Sequence, residues 1–320
     1  MVINFTRSGL GGLNNLLWSV THAIKSGCKN AQHMYHTASD ECFPVVLLPR
    51  LPVDLLHTAM ELPNASFVHF SEIFDVDRLT SVVLQRLRCL VTDDRTFNRF
   101  LTSGSIVKDI TFVNKEDASI FSQSEVRGST NDLVYRGLSP STRINRILER
   151  CTSQMRLKFG YSGYVAVHLR LEEDWWQYHC RNNQIEVTNR LCFESEEIVS
   201  IVLSTNRLNR FRNFLLVHSA LLTRPGDTKQ KIDPLPHWPP NKTVISVQNL
   251  QCLNDKLKYT EQASLSFFLA GASTEFVGLK GSSFTDGVKR YRTGRCLNCE
   301  YPAFYFNVPE VLYSRAVGIS

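Results

Sequence analysis

The stretch that most constrains this chain is Tyr164-Val165-Ala166-Val167-His168-Leu169-Arg170, which continues through two glutamates and Asp174 into Trp175-Trp176. Its first four residues are apolar or β-branched and follow the turn residues Gly160, Ser162 and Gly163, so they read as a short buried strand. The run then breaks into His168, Arg170, Glu172, Glu173 and Asp174, a dense polar group where a core strand stops. In open α/β sheets, ligands bind beyond the carboxyl ends of the strands, so this is where polar chemistry belongs. A plain strand ending in a solvated charged loop has the same spacing. The residues alone leave both readings open.

The alternation of short apolar runs with amphipathic ones recurs along the chain. Strands are expected over 2–5, 45–48, 110–113, 214–217, 243–247 and 275–278, and helices over 16–24, from Pro52 to Leu62, and over 79–87, 193–208, 260–272 and 286–291. A further helix opens with Ser139 as cap and Pro140 at its first position, with Ile144, Ile147, Leu148 and Cys151 at helical spacing. Strands alternating with helices imply parallel sheets with right-handed crossovers. At 320 residues and 43% hydrophobic, the chain can bury a core for two domains rather than one. The pattern divides as 1–137, a linker helix over 138–158, and 159–320. Residues 93–131 are polar and turn-rich, and they are the least readable part.

Three further stretches carry chemistry. Gly9 to Asn15 is a glycine-rich turn between a strand and a helix, where backbone can come close to a phosphate or sugar, although its spacing is not a dinucleotide fingerprint. Gly281-Ser282-Ser283-Phe284-Thr285 follows a strand and precedes a helix, which makes either a metal-free phosphate site or a plain helix cap. Asp75-Val76-Asp77 is formally a DxD metal motif, but a carboxylate ahead of the amphipathic run 79–87 reads more simply as a helix N-cap.

The formal charge of +6 suits an anionic diphosphate ligand and is too diffuse for nucleic acid; Lys289 to Arg292 reads as a solvated helix end. Nine cysteines are scattered, with local pairs available at Cys296/Cys299 and Cys180/Cys192, and an odd count leaves one over. N-glycosylation sequons stand at Asn4, Asn64 and Asn241, about the number chance gives. No signal peptide or membrane-spanning run is present. The chain opens almost on its first strand, as a catalytic domain with its targeting segment elsewhere, or a truncated product, would.

His168-Leu169-Arg170 with Asp174-Trp175 resembles the nucleotide-sugar motif of the GDP-fucose protein O-fucosyltransferases. GGLNN at Gly11 to Asn15, IFDVD at Ile73 to Asp77 and FVGLKGSSFTDGVKRYR at Phe276 to Arg292 fall in that superfamily's order, with IFDVD resembling its plant-type members. The resemblance implies an α/β GT-B-like fold: two Rossmann-like domains facing across a cleft, the first on the acceptor side and the second binding the nucleotide sugar. It implies inverting transfer of L-fucose from GDP-fucose to a protein Ser/Thr or glycan hydroxyl, without metal or other cofactor, in the Golgi or endoplasmic reticulum lumen. Arg170 and Asp174 inherit the catalytic roles. Gly12, Asn14, Asn15, His168, Arg170, Ser282, Ser283, Phe284 and Thr285 inherit donor binding. Arg170 stabilises the leaving diphosphate, because a guanidinium grips phosphate oxygens in two places. His168 orients the donor as a neutral group, while Asp174 holds a catalytic loop or takes the acceptor's proton. Two departures stand out. Leu10 and Gly11 occupy the place where some members carry a glutamate, and Ser266 matches a base-binding aspartate. They keep two alternatives in view: a non-catalytic GT-B protein binding a nucleotide sugar or a partner, and a UDP-rhamnose-dependent transferase.

Overall fold

Parallel pairing organises both halves of the chain. The computed structural model describes residues 2–5, 17, 20, 21, 24, 25, 28, 45–48, 50–52, 67–93, 95, 97, 112–115, 129–170, 191–218, 237–253, 257–295 and 303–307. The chain divides into two units: Met1–Ile147 with Leu257–Leu265 and Thr293–Leu297, and Leu148–Lys256 with Ser266–Arg292 and Asn298–Ser320.

In the first unit the strands are β1 (Val2–Phe5), β2 (Val45–Leu48), β3 (Leu51–Pro52), β4 (Phe67–Val68), β5 (Leu90–Asp93) and β6 (Phe112–Lys115). Four of them form one sheet in the order β5-β2-β1-β6, every pair parallel. The strand expected over 110–113 thus lies two residues later. Leu51 and Pro52, expected at the head of a helix, pair instead with Val68 and Phe67 in a short antiparallel ladder. Proline is tolerated there because a two-stranded ribbon leaves its missing N–H on an edge. The rest of that expected helix lies outside the described residues. Helical residues Leu17, Val20, Ile24 and Cys28 are buried at three- and four-residue spacing, and Cys28 is disulfide-bonded to Cys89 just before β5.

Helices α1 (Phe70–Ile73), α2 (Val76–Leu87), α3 (Ser129–Gly137) and α4 (Thr142–Phe159) follow. Asp75 is the cap of α2, its Oδ1 accepting the Arg78 N–H at 3.0 Å, while Val76, Leu79 and Val83 are buried. α4 begins later than its expected start at Ser139-Pro140. The Ser139 carbonyl accepts the Asp75 N–H (2.9 Å) and the Ile73 carbonyl accepts the Ser141 N–H (3.0 Å), so this segment is extended and held against 73–75. Capping therefore passes to Ser141, whose Oγ receives the Ile144 N–H at 3.3 Å and donates to the Glu72 carbonyl at 2.7 Å.

In the second unit β7 (Val165–His168), β8 (Asn213–Val217), β9 (Thr243–Ser246), β10 (Glu275–Gly278) and β11 (Phe304–Tyr305) form a parallel sheet in the order β11-β10-β7-β8-β9. The helices α5 (Ser195–Ser204), α6 (Asn206–Asn209), α7 (Tyr259–Gly271) and α8 (Ser283–Arg295) alternate with them. Val165, Val167, Phe214, Leu216 and Val277 from the three central strands pack with Ile198, Val199 and Val202 of α5 into one apolar cluster. Cys151 of α4 is disulfide-bonded to Cys252, whose N–H is also held by the Gln154 Oε1 at 3.1 Å. From β7 the chain builds β8 and β9 outward on one side, then returns to place β10 and β11 on the other. The order reverses between β7 and β10. Their carboxyl ends mark the crevice where a doubly wound sheet takes its ligand.

Candidate functional site

The sequence places a polar residue at each side of that reversal. His168 ends β7 and is 3% exposed. Its Nδ1 lies 3.0 Å from the Oγ1 of Thr285, and its ring stacks on Phe284 with centroids 4.5 Å apart. Both partners sit in the first turn of α8, which starts five residues after β10 ends. The close approach depends on Gly278, the last residue of β10. A Cβ there would come within 2.4 Å of the Thr285 Oγ1 and 2.9 Å of its methyl, so only glycine lets the hydroxyl reach the histidine. The intervening turn uses Gly281 at φ +101°, and Asn307 fastens it by accepting the Lys280 N–H (2.8 Å) and donating to the Lys280 carbonyl (3.2 Å).

Burial drives the His168 pKa down to about 3, with the positive charges of Arg170 and His218 acting in the same direction. The imidazole is therefore neutral at neutral pH. The Leu169 N–H donates to the Val217 carbonyl at 2.9 Å, so strand pairing continues one residue past His168 and the chain leaves the sheet at Arg170, which is partly exposed.

α8 starts at Ser283 rather than at Asp286, so Ser283, Phe284 and Thr285 form its first turn instead of a loop ahead of it. The change alters what each can do. Ser282 (2% exposed) and Thr285 (0%) are closed off, and the Thr285 hydroxyl expected to contact a ligand is used to hold His168. What the turn offers is backbone. The Asp286 N–H donates to the Ser282 carbonyl at 3.0 Å, so the N–H groups of Ser283, Phe284 and Thr285 have no acceptor within the helix, at the positive end of its dipole. Ser283 and Phe284 are half-buried.

A second polar group, missed from the sequence, lies at the ends of β8 and β9. The Nε2 of His218 is 2.7 Å from the Ser246 Oγ, which also accepts the Gln248 N–H at 3.2 Å, while the Gln248 amide donates to the His218 carbonyl at 3.1 Å. Its only sequence signal is position, since His218 and Gln248 directly follow predicted strands and Ser246 stands one residue before the end of one. Ser266 is buried in α7. The run 289–292, expected to be a solvated helix end, is anchored instead: Arg292 is 4% exposed and donates to the carbonyls of Gly271 (3.3 Å), Ser273 and Thr274 (3.0 Å). Among the described residues no group of three His, Cys, Asp or Glu gathers as metal ligands do. Gly12, Asn14, Asn15, Asp174, Glu172, Glu173 and the two tryptophans lie outside the described residues, as do Cys180, Cys296 and Cys299; Cys192 is disulfide-bonded.

No protein-family model matches this chain, and no curated protein matches it. Among solved structures, POFUT1 in complex with GDP aligns with a TM-score of 0.58 at 13% identity, over 96% of this chain and 98% of that one. POFUT1 in complex with GDP-fucose aligns with a TM-score of 0.58 at 14% identity and the same coverage. The apo form of POFUT1 gives 0.55 at 14%. The chain has this GT-B-like, O-fucosyltransferase-like fold.

Proposed function

We propose that this chain is a glycosyltransferase that moves L-fucose from GDP-fucose to a hydroxyl of a protein or glycan, with inversion and without a metal. The observation that carries the reading is the contact of the buried, neutral His168 with Thr285 and Phe284 at the strand-order reversal, beside Arg170. The solved structures that share this fold over 96% of the chain include one with GDP and one with GDP-fucose bound.

The roles follow from charge. As the sugar–phosphate bond breaks, negative charge grows on the β-phosphate while the sugar becomes cationic. Arg170 and the first-turn N–H groups of α8 meet the phosphate charge, as preorganised donors do. A neutral His168 leaves Arg170 as the positive side chain of the pair, and its fixed ring shapes the wall the donor rests on. Asp174 serves the acceptor side, either by holding its loop or by taking the hydroxyl proton.

The disulfides Cys28–Cys89 and Cys151–Cys252, closing 61 and 101 residues, support residence in an oxidising compartment such as the Golgi or endoplasmic reticulum lumen. In the chain-entropy view, loops of that size stabilise by about 4–5 kcal/mol each, so reduction should lower the melting temperature sharply. The buried Ser266, standing where an aspartate would hold the base, favours one second reading: a protein that binds a nucleotide sugar, guanine or uracil, without turnover.

One experiment separates these. Melting temperatures are measured with GDP, UDP, GDP-fucose and UDP-rhamnose, each with and without EDTA, followed by donor hydrolysis. A ligand at 100 times its Kd stabilises by about 2.7 kcal/mol. Stabilisation by GDP and GDP-fucose with EDTA-insensitive hydrolysis is expected. A response to UDP ligands alone would change the donor, binding without hydrolysis would favour the inactive reading, and no response to any would end the proposal.

A further inference from the structure

Of the three Asn-x-Ser/Thr sequons, the structure separates one from the rest. Asn4 lies inside β1, which has a parallel neighbour on each side, pairing with Leu47 and Asn114. Asn64 lies outside the described residues. Asn241 is exposed, in the turn that leads into β9 at the edge of the second sheet among the described residues.

The turn is held so that Asn241 faces solvent while its neighbours are fastened inward. The Lys242 N–H donates to the Pro239 carbonyl at 3.0 Å, and the Thr243 N–H donates to the Arg212 carbonyl at 2.7 Å, already in strand pairing. The Lys242 ammonium turns back to the carbonyls of Asn209 (2.5 Å) and Phe211 (2.9 Å) and sits over the Phe214 ring at 5.8 Å. Lysine thus ties the turn to the sheet, and the asparagine beside it carries none of that load. Trp238 closes the other side, packed on Phe214 with centroids 4.6 Å apart.

We propose that Asn241 is an N-glycan attachment site, modified by oligosaccharide transfer from a lipid-linked diphosphate donor. In that step the Asn241 Nδ2 bonds to the anomeric carbon of the oligosaccharide. The bond from that carbon to the lipid diphosphate breaks, the diphosphate leaves with the electron pair, and one amide proton goes to the transferase's base. Asn-x-Thr supplies the hydroxyl such acceptors require at the third position, here Thr243. Because every strand of the sheet is parallel, the amino end of β9 lies at the opposite end of the sheet from His168 and Thr285. The glycan therefore stands clear of the proposed donor site and leaves nucleotide binding unchanged. This inference rests on the lumenal reading of the chain.

The test expresses the full chain behind a cleavable secretory leader in a eukaryotic host. Secreted protein is deglycosylated with peptide-N-glycosidase in heavy-oxygen water, and its peptides and free thiols are measured by mass spectrometry. Conversion of Asn241 to labelled aspartate is expected, lost in Asn241→Gln and in Thr243→Ala and retained in Thr243→Ser. GDP should shift the melting temperature of Asn241→Gln as it does the parent. Folded, disulfide-bonded protein with unlabelled Asn241 would overturn the inference while leaving the lumenal reading standing. Secreted protein with its cysteines free would overturn both. A loss of GDP binding in Asn241→Gln would overturn the placement away from the donor site.

Discussion

The two ends of the second unit's sheet handle polar groups in opposite ways. At the amino end the polar groups are charged and matched. Arg292 is buried among three carbonyls; Glu275 is paired with the Nε of Arg207 at 2.8 Å, and Arg207 in turn lies over the Phe304 ring. The Tyr164 hydroxyl donates to the Leu269 carbonyl at 2.7 Å, and burial pushes its pKa far above the ordinary phenol value. At the carboxyl end the contact at the strand-order reversal joins two neutral groups, His168 and Thr285, and nearby Arg170 is partly exposed. A buried arginine whose donors are spent on carbonyls stabilises the fold. Arg170, at a strand end beside a neutral imidazole, stays partly exposed to solvent.

The sharpest way to break this comparison is to exchange the consequences of the two arginines. Arg292→Met should cost about 3–5 kcal/mol of stability, because it takes the donor from three carbonyls, that of Ser273 buried, and removes a buried positive charge acting on Glu275. Denaturant melts measure this, and GDP affinity of the folded fraction should hold. If Arg292→Met melted like the parent, the amino-end network would be decoration.

Arg170→Lys should do the reverse. Lysine keeps the charge but offers a point donor where a planar fork grips two oxygens. Losing one preorganised contact to developing charge lowers rates by about 10²–10³, so donor hydrolysis and transfer should fall by that factor with the melt unchanged. Near-normal rates in Arg170→Lys, with Asp174→Asn inactive, would move the reaction's dependence to the carboxylate.

The same contrast explains what could be read in advance. Strand cores such as Glu275–Gly278 and Val45–Leu48 were legible because a short apolar run bounded by turn residues has few alternatives. His168 and Arg170 were legible because they break such a run at its carboxyl end. Other features depend on partners far away in sequence, which local patterns do not encode. Arg292 looked like part of a solvated basic run until helix α8 brought it against the carbonyls of Gly271, Ser273 and Thr274. Cys28–Cys89 and Cys151–Cys252 span 61 and 101 residues, while spacing drew attention to near pairs. The start of α4 moved because Ser139 and Ser141 pair with residues around 74, a tertiary demand that overrode the Ser-Pro signal.

A smaller effect sharpens the carboxyl end alone. Gly278→Ala forces a methyl into the space of the Thr285 hydroxyl, and overpacking of this kind costs about 1–3 kcal/mol. Thr285→Val removes the hydroxyl at nearly constant shape and leaves the buried His168 Nδ1 without that partner, at about 1–3 kcal/mol. Thr285→Ser restores the oxygen. GDP affinity should fall in Gly278→Ala and Thr285→Val and recover in Thr285→Ser, beyond what their melts alone account for. Recovery of stability without recovery of affinity would confine this contact to folding.

The smallest effect is a pH slope, and its sign follows from the histidine's two states. In the unfolded chain His168 takes a proton near its ordinary 6.5; in the folded protein burial holds it neutral until about 3. Between those values the unfolded state binds one more proton than the native state, so stability declines as pH falls, by about 1.4 kcal/mol per unit for a single group. Above 6.5 both states are neutral and the residue contributes no slope. Below about 3 both are protonated and the loss stops. A neutral isostere cannot titrate, so His168→Gln should be less stable than the parent near pH 7.5 but lose less on acidification, and the two should converge between about pH 6.5 and 5. Chemical melts at half-unit steps read this directly. Parallel curves for parent and His168→Gln would mean that the native histidine titrates with the unfolded one. The carboxyl end would then lack the buried neutral contact that sets it against the charged, matched amino end, and the comparison would fail.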